Sequence, residues 1–276
     1  MPDWLTQGLL LQAVIVLATF GLAEATRHLN NAVTRRTKLG IPFKLCAASI
    51  FTLCALGVAF KVESWTAVFV SVLAGIALTY TALRPLLRIG IIEAFSHTES
   101  GIGYSDSLKL AHHSISFMGI GAHKLTSIPE FEKAVRRCTS SGSRCRFLLS
   151  RPDNPLLEKL ARQNNAVPKV YADNVKASLT TLANLHINSG LNIDVRYHPA
   201  QDRRDFQQFR LMFLDGDICL MSWAVWDAAM GRNNPQILLR QSGSPESRKA
   251  TLFKAFEDYF DETWSQAEDV PLKDFL

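Results

Sequence analysis

The chain has 276 residues, 47% of them hydrophobic, and carries 30 Lys+Arg against 25 Asp+Glu for a formal net charge of +5. The charge excess and the longest apolar runs both lie at the N-terminal end: the first 88 residues hold 8 basic and 3 acidic side chains, while residues 89–276 hold 22 of each. The balanced charge of the C-terminal part gives no support for a nucleic-acid footprint beyond a local basic patch, and its length suits one domain of its own.

A bilayer core about 30 Å thick is crossed by roughly 20 apolar residues in a helix. Residues 5–23, 41–60 and 64–83 meet that requirement, with Trp4 and Trp65 at interfacial positions and Lys44 close enough to a helix end to reach water. Met1-Pro2-Asp3-Trp4 has no positive charge, unlike the start of a cleaved signal peptide. Arg27, Arg35, Arg36 and Lys38 mark the 26–40 connection as cytoplasmic, and Arg84 and Arg88 follow the third span. The expectation is a multi-pass protein of the inner membrane, its N-terminus outside and its C-terminal domain in the cytoplasm. Asp, Glu, Lys and Arg stand only near span ends, and Ser71, Gly75 and Thr79 form a small-residue stripe. That pattern suits an anchor that packs against other helices rather than a transport path.

Residues 89–103 read as a linker, and 104–112 as a helix. Strand-like runs follow at 114–119, 144–149, 191–197, 209–214, 218–222 and 236–240. Helical stretches fall at 129–140, 155–163, 169–188 and about 246–266. Pro129 and Pro155 stand at favoured first positions of helices, Gly142 and Gly190 at stops, and Asp215-Gly216 between two apolar runs marks a hairpin. Alternation of these periods indicates an α/β sheet. Cys46, Cys54, Cys138, Cys145 and Cys219 include no C-x-x-C pair, and no histidine stands at ligand spacing. Neither a metal nor a cofactor is expected.

The order of elements, with the strings FMGIGAHKL (117–125), FEKAVRRCTSSGSRCRFLLSRPDNP (131–155) and FRLMFLDGDICLMSW (209–223), resembles one lobe of the phospholipase D-like fold over most of 104–264. The resemblance implies an α/β, phospholipase D-like mixed sheet flanked by helices, here preceded by a three-helix transmembrane region. The family signature is His-x-Lys-x-x-x-x-Asp, with a Ser or Asn pair on the following strand. Aligned on Asp215-Gly216, this chain has Gln208-x-Arg210-x-x-x-x-Asp215 and then Ser222. In the family the motif His attacks phosphorus and a second His protonates the leaving group. A carboxamide is neither nucleophilic toward a phosphodiester nor titratable near neutral pH, so Gln208 does neither. Arg210 retains the means to hold a phosphate, because guanidinium presents a planar fork to two oxygens.

The resemblance thus implies a site of Gln208, Arg210, Asp215 and Ser222 that binds without catalysing. His123, after the first strand, and His198, after the third, are further ligand candidates if both strands end at one sheet edge. Arg151 joins them from the Ser150–Pro155 run, which either meets a ligand at a strand's C-terminal end or caps a helix. Trp223 and Trp226 either line the same mouth or pack in the core.

The function these features imply is a membrane-anchored, non-catalytic sensor or effector. It would bind a phosphate-bearing small molecule or nucleotide signal, one version being membrane disruption in bacterial antiviral defence. Alternatives are an active phosphodiesterase that works through an unconventional histidine, and a scaffold for partner proteins. The expected partners are the lipid bilayer, the phosphate ligand and a second copy of the chain. The last follows because the family sets two lobes across one cleft and only one lobe is readable here.

Overall fold

Side chains alternate so strictly along the strands that the core falls into two halves, one on each face of a single sheet. A computed structural model describes helical positions 77, 80, 81, 84 and 86–88, then residues 89–96, 98, 101–199, 209–223, 234–241 and 251–276. The expected membrane helices at 5–23 and 41–60, and nearly all of 64–83, lie outside these residues. Among the described residues no helix is long and apolar enough to cross a membrane. The chain divides by its contacts into Met1–Leu87 and Arg88–Leu276.

The second unit is mixed α/β. Its elements are β1 (Ile91–Phe95), α1 (Tyr104–Leu110), β2 (Ile115–Gly119), α2 (His123–Thr126), α3 (Pro129–Ser140), β3 (Cys145–Leu149), α4 (Pro155–Gln163) and α5 (Val170–Ala183). They continue with β4 (Ile193–Tyr197), β5 (Phe209–Leu214), β6 (Ile218–Trp223), β7 (Gln236–Arg240), α6 (Leu252–Ser265) and β8 (Glu268–Asp269). The eight strands form one sheet in the order β1-β7-β6-β5-β2-β3-β4-β8. Strands β2, β3 and β4 run parallel, and the remaining pairings are antiparallel.

On one face Phe117, Phe147, Met212 and Leu220 meet Leu125, Phe131, Val135, Val175 and Leu179 from the helices that precede β4. On the other Met118, Leu148, Leu211, Phe213 and Met221 meet Phe253 and Phe260 of α6. Phe117, Phe131 and Phe147 form an aromatic cluster, with centroids 5.8 Å apart for Phe131–Phe147 and 6.4 Å for Phe117–Phe147. Gly119 gives the Phe117 ring its room, since a Cβ there would stand 2.7 and 2.8 Å from two ring carbons.

Two elements differ from the sequence reading. Residues 91–95 form an edge strand where a linker is expected, because their partner is β7, about 140 residues on in the chain. The long helix expected at 169–188 stops as an α-helix at Ala183 and continues through Asn188 with wider hydrogen bonding, Ser189 N–H reaching Asn184 O at 3.2 Å.

A buried hydroxyl fixes α5 to the loop after β2. Ser178 Oγ accepts from the Ala122 N–H at 3.1 Å and donates to Asn174 O at 2.6 Å. Both Ser178 and Ala122 are fully enclosed. Ser178→Ala would leave the Ala122 N–H buried without a partner, which costs about 1–3 kcal/mol. A fall in the thermal midpoint of the full-length variant, with Ser178→Thr closer to wild type, is the expected result.

Candidate functional site

Cross-strand register collects polar side chains at one end of the apolar face. Arg210 pairs with Ser222 across β5 and β6, and Ser222 pairs with Gln236 across β6 and β7. The next residues on that face, Met212 and Leu220, are also paired and belong to the core. Since β5 runs antiparallel to β2, the polar row lies at the C-terminal edge of the parallel strands, where α/β sheets usually place ligands.

A cavity of about 340 Å³ sits there. Arg210, Lys124, Ser222 and Gln236 supply its polar wall, Met212 and Leu220 its apolar floor. Gly103, Ile102 and Tyr104, from the segment leading into α1, close another side. Tyr104 is braced edge-on against Phe117, with centroids 6.5 Å apart. No carboxylate, thiol or imidazole is present in the described lining.

Arg210 stands apart from the other described arginines between 89 and 276. Arg144, Arg151 and Arg162 meet Asp194, Glu268 and Glu158 at 2.6–2.7 Å. Arg136, Arg146 and Arg196 meet Glu132, Asp261 and Asp269 at 2.7–2.9 Å. Arg137 donates to the Ala111 and Leu108 carbonyls at 2.6 Å, and Arg240 lies 3.7 Å from Asp217. Neither Arg210 nor Lys124 has a carboxylate or carbonyl partner among the described residues, so the cavity's positive charge is uncompensated by the protein there.

Two of the candidates from the sequence, Arg210 and Ser222, come together in this cavity. Gln208 and Trp226 lie outside the described residues. Asp215 is elsewhere, in the turn beyond the far end of β5, where it and Gly216 have φ of 55° and 69° and Asp217 N–H bonds Leu214 O at 3.1 Å. Its carboxylate accepts from the N–H groups of His112, His113 and Ser114 at 2.8, 2.6 and 3.1 Å. Asp215 therefore ties the hairpin to the chain entering β2. Partial burial raises its pKa, but the N–H groups of His113, His112 and Ser114 outweigh burial and hold it below the ordinary carboxylate value.

The resulting stability is fully present above the unfolded value near pH 4 and is lost as pH falls through the lower folded value. Asp215→Asn is expected to flatten that acid limb, measured as denaturation midpoints between about pH 2 and 6.

The remaining candidates are also placed away from the cavity. His123 opens α2 and stays exposed, its Nδ1 3.2 Å from Ser127 Oγ. His198 is buried beyond β4, its N–H on Leu149 O at 2.7 Å, and burial pushes its pKa down to about 4. The two do not converge on the lining. Arg151 stacks over Tyr197 at 4.9 Å and pairs with Glu268, while Asn154 caps α4 by accepting from Leu156 N–H at 2.9 Å. The Ser150–Pro155 run thus serves as a helix cap. Trp223 packs against the α6 side of the core. Cys138, Cys145 and Cys219 are buried free thiols, and no three His, Cys, Asp or Glu residues gather to hold a metal among the described residues.

The sequence reading did not single out Lys124, Tyr104 or Gln236 as site residues. Lys124 stands beside the chosen His123, and Gln236 opens a strand, but their convergence with Arg210 depends on β2 and β7 flanking the β5–β6 hairpin.

The chain thus holds a mixed α/β domain with a pocket that Arg210 and Lys124 line, beyond the C-terminal ends of the parallel strands. No family model matches the chain, and no curated protein matches it. Solved structures similar to it include Nuc, a phospholipase D family member from Salmonella typhimurium, at 15% identity and a TM-score of 0.33, covering 60% of this chain and 88% of that one. Phosphatidylserine synthase of Haemophilus influenzae Rd KW20 is similar at 10% identity and a TM-score of 0.40 over 60% of this chain, which spans only 36% of the synthase.

Proposed function

We propose that the C-terminal unit binds a phosphate-bearing small molecule in the cavity of Arg210 and Lys124 without hydrolysing it, as a degenerate phospholipase D-like site. The hydrophobic N-terminal segments tether it to a bilayer, and the whole acts as a sensor or effector. The observation that carries this reading is Arg210, which faces a cavity alongside a second cation and has no carboxylate or carbonyl partner among the described residues, whereas the other described arginines between 89 and 276 are partnered. A guanidinium and an ammonium attract an anion, and the Ser222 hydroxyl is able to donate to its oxygens. Gln208, in place of the family's nucleophilic histidine, favours binding over turnover.

The test is a thermal-shift panel on the full-length protein in detergent. It contains inorganic phosphate, pyrophosphate, mono- and dinucleotides and phosphoserine, with sulfate and acetate as controls. Ligand at 100 times its Kd stabilises by about 2.7 kcal/mol, so phosphate-bearing members are expected to raise the midpoint. A panel with no phosphate-dependent shift overturns the binding reading. Steady hydrolysis of a chromogenic phosphodiester, lost in Arg210→Ala, overturns the non-catalytic one and favours a phosphodiesterase.

A further inference from the structure

One wall of the cavity is not fixed by strand pairing. It includes Ile102 and Gly103, which with Gly101 lie between the end of β1 and α1. The Gln236 side chain holds this segment: its Oε1 accepts from the Ile102 N–H at 2.9 Å, and its Nε2 approaches the Ile102 carbonyl at 3.5 Å. A carboxamide offers an acceptor and two donors, so it can pair with both the N–H and the C=O of one residue, as a neighbouring strand would. Gln236 is 8% exposed, and its backbone is locked between Ser222 and Phe95. The rigid sheet thus presents the carboxamide, and the connecting segment docks onto it.

Glycine at 101 is a condition of this docking. A Cβ there would overlap Gln236 Oε1, stand 2.9 Å from Gln236 Cδ and press on the Phe95 ring at 3.3 Å. Beyond the contact, the Gly103 carbonyl accepts from Ser107 N–H at 3.0 Å and Ser107 Oγ at 2.8 Å, which starts α1 and seats Tyr104 on Phe117. Three lining residues, Ile102, Gly103 and Tyr104, therefore depend on one amide-to-peptide contact.

We propose that Gln236 is a positioning residue that clips segment 101–103 against the Arg210 cavity and so sets the affinity of the anion site. The inference rests on the binding reading for its ligand arm, while the clip itself is read without any ligand. Gln236→Glu keeps an acceptor for the Ile102 N–H but places a negative charge in the same cross-strand row as Arg210. Gln236→Leu removes both halves of the pair. Gly101→Ala keeps the carboxamide and displaces the segment.

The experiment is hydrogen exchange on the full-length protein, followed in peptides covering 96–110 and 209–223, together with pyrophosphate titration. Gln236→Leu and Gly101→Ala are expected to speed exchange in 96–110 about tenfold while 209–223 stays protected, as local opening requires. Pyrophosphate affinity should fall several-fold to about tenfold in both, the range of a neutral hydrogen bond. Gln236→Glu, which keeps the acceptor but sets an oxygen against the Ile102 carbonyl, is expected to speed exchange in 96–110 less than Gln236→Leu and to weaken pyrophosphate through its charge. Exchange that stays at the wild-type rate in both Gln236→Leu and Gly101→Ala overturns the clip. A wild-type protein that ignores pyrophosphate sinks the binding reading instead, and the exchange comparison then decides the clip alone.

Discussion

Phe147→Ala is expected to lose about 3–5 kcal/mol of stability, the usual range for emptying a buried aromatic site. The position is fully enclosed in β3, the middle strand of the parallel set. Its ring meets Phe131 of α3 edge-on, at an interplanar angle of 71°, and lies 6.4 Å from Phe117 of β2. The cavity left behind cannot close easily, because Phe117 is held by Tyr104 on one side and by the backbone at Gly119 beneath it. Domains are stable by about 5–15 kcal/mol in total, so one such substitution removes a large part of the reserve. The check is the thermal midpoint of the full-length protein. Phe147→Leu, which keeps most of the volume, should lose less than half as much. Equal losses from Leu and Ala would mean that the ring contacts, and not the filled volume, stabilise this layer.

Elements whose cause is local were legible in the sequence. Helices 129–140 and 155–163 have the bounds expected from Pro129 and Pro155 at their first positions, and strand 209–214 stops where Asp215-Gly216 turns the chain. Elements whose cause is a distant partner were not. Ile91–Phe95 is short and holds Glu93, so nothing in its own composition separates it from a connecting loop. Glu268–Asp269 is two exposed acidic residues that become strand only because Arg196 and Tyr197 pair with them.

The same distinction explains the site. Arg210 and Ser222 were found together because one hairpin carries both, and hairpin register follows from the turn. Asp215 shares their motif spacing, yet five residues along a strand span roughly 17 Å, and its carboxylate is occupied with three N–H groups at the far end. Lys124, Tyr104 and Gln236 come from three other elements, and only the strand order brings them to the same cavity.

Replacing Arg210 with alanine is expected to weaken pyrophosphate binding by about 1.5–3 kcal/mol, the range for hydrogen bonds to charged groups, or roughly ten- to 150-fold in Kd. The loss should appear in binding and not in folding. Arg210 has no carboxylate or carbonyl partner among the described residues to strand, and it is only partly buried near the start of β5. The ligand-free midpoint should therefore shift by no more than about 0.5 kcal/mol equivalent, as for a surface position. Arg210→Lys separates charge from shape: an ammonium keeps the attraction but loses the two-pronged contact with phosphate oxygens, so its affinity should fall between wild type and alanine. Lys124→Ala should cost less than Arg210→Ala, since one point charge on a flexible stem is removed and the fork remains. Raising ionic strength should weaken the wild type more than Arg210→Ala, because screening acts on the charge that alanine has already removed. Isothermal titration of the full-length proteins at two salt concentrations reads all four comparisons. An Arg210→Ala protein that binds pyrophosphate as tightly as wild type would take the guanidinium out of the site, and with it the reason for placing an anion in this cavity.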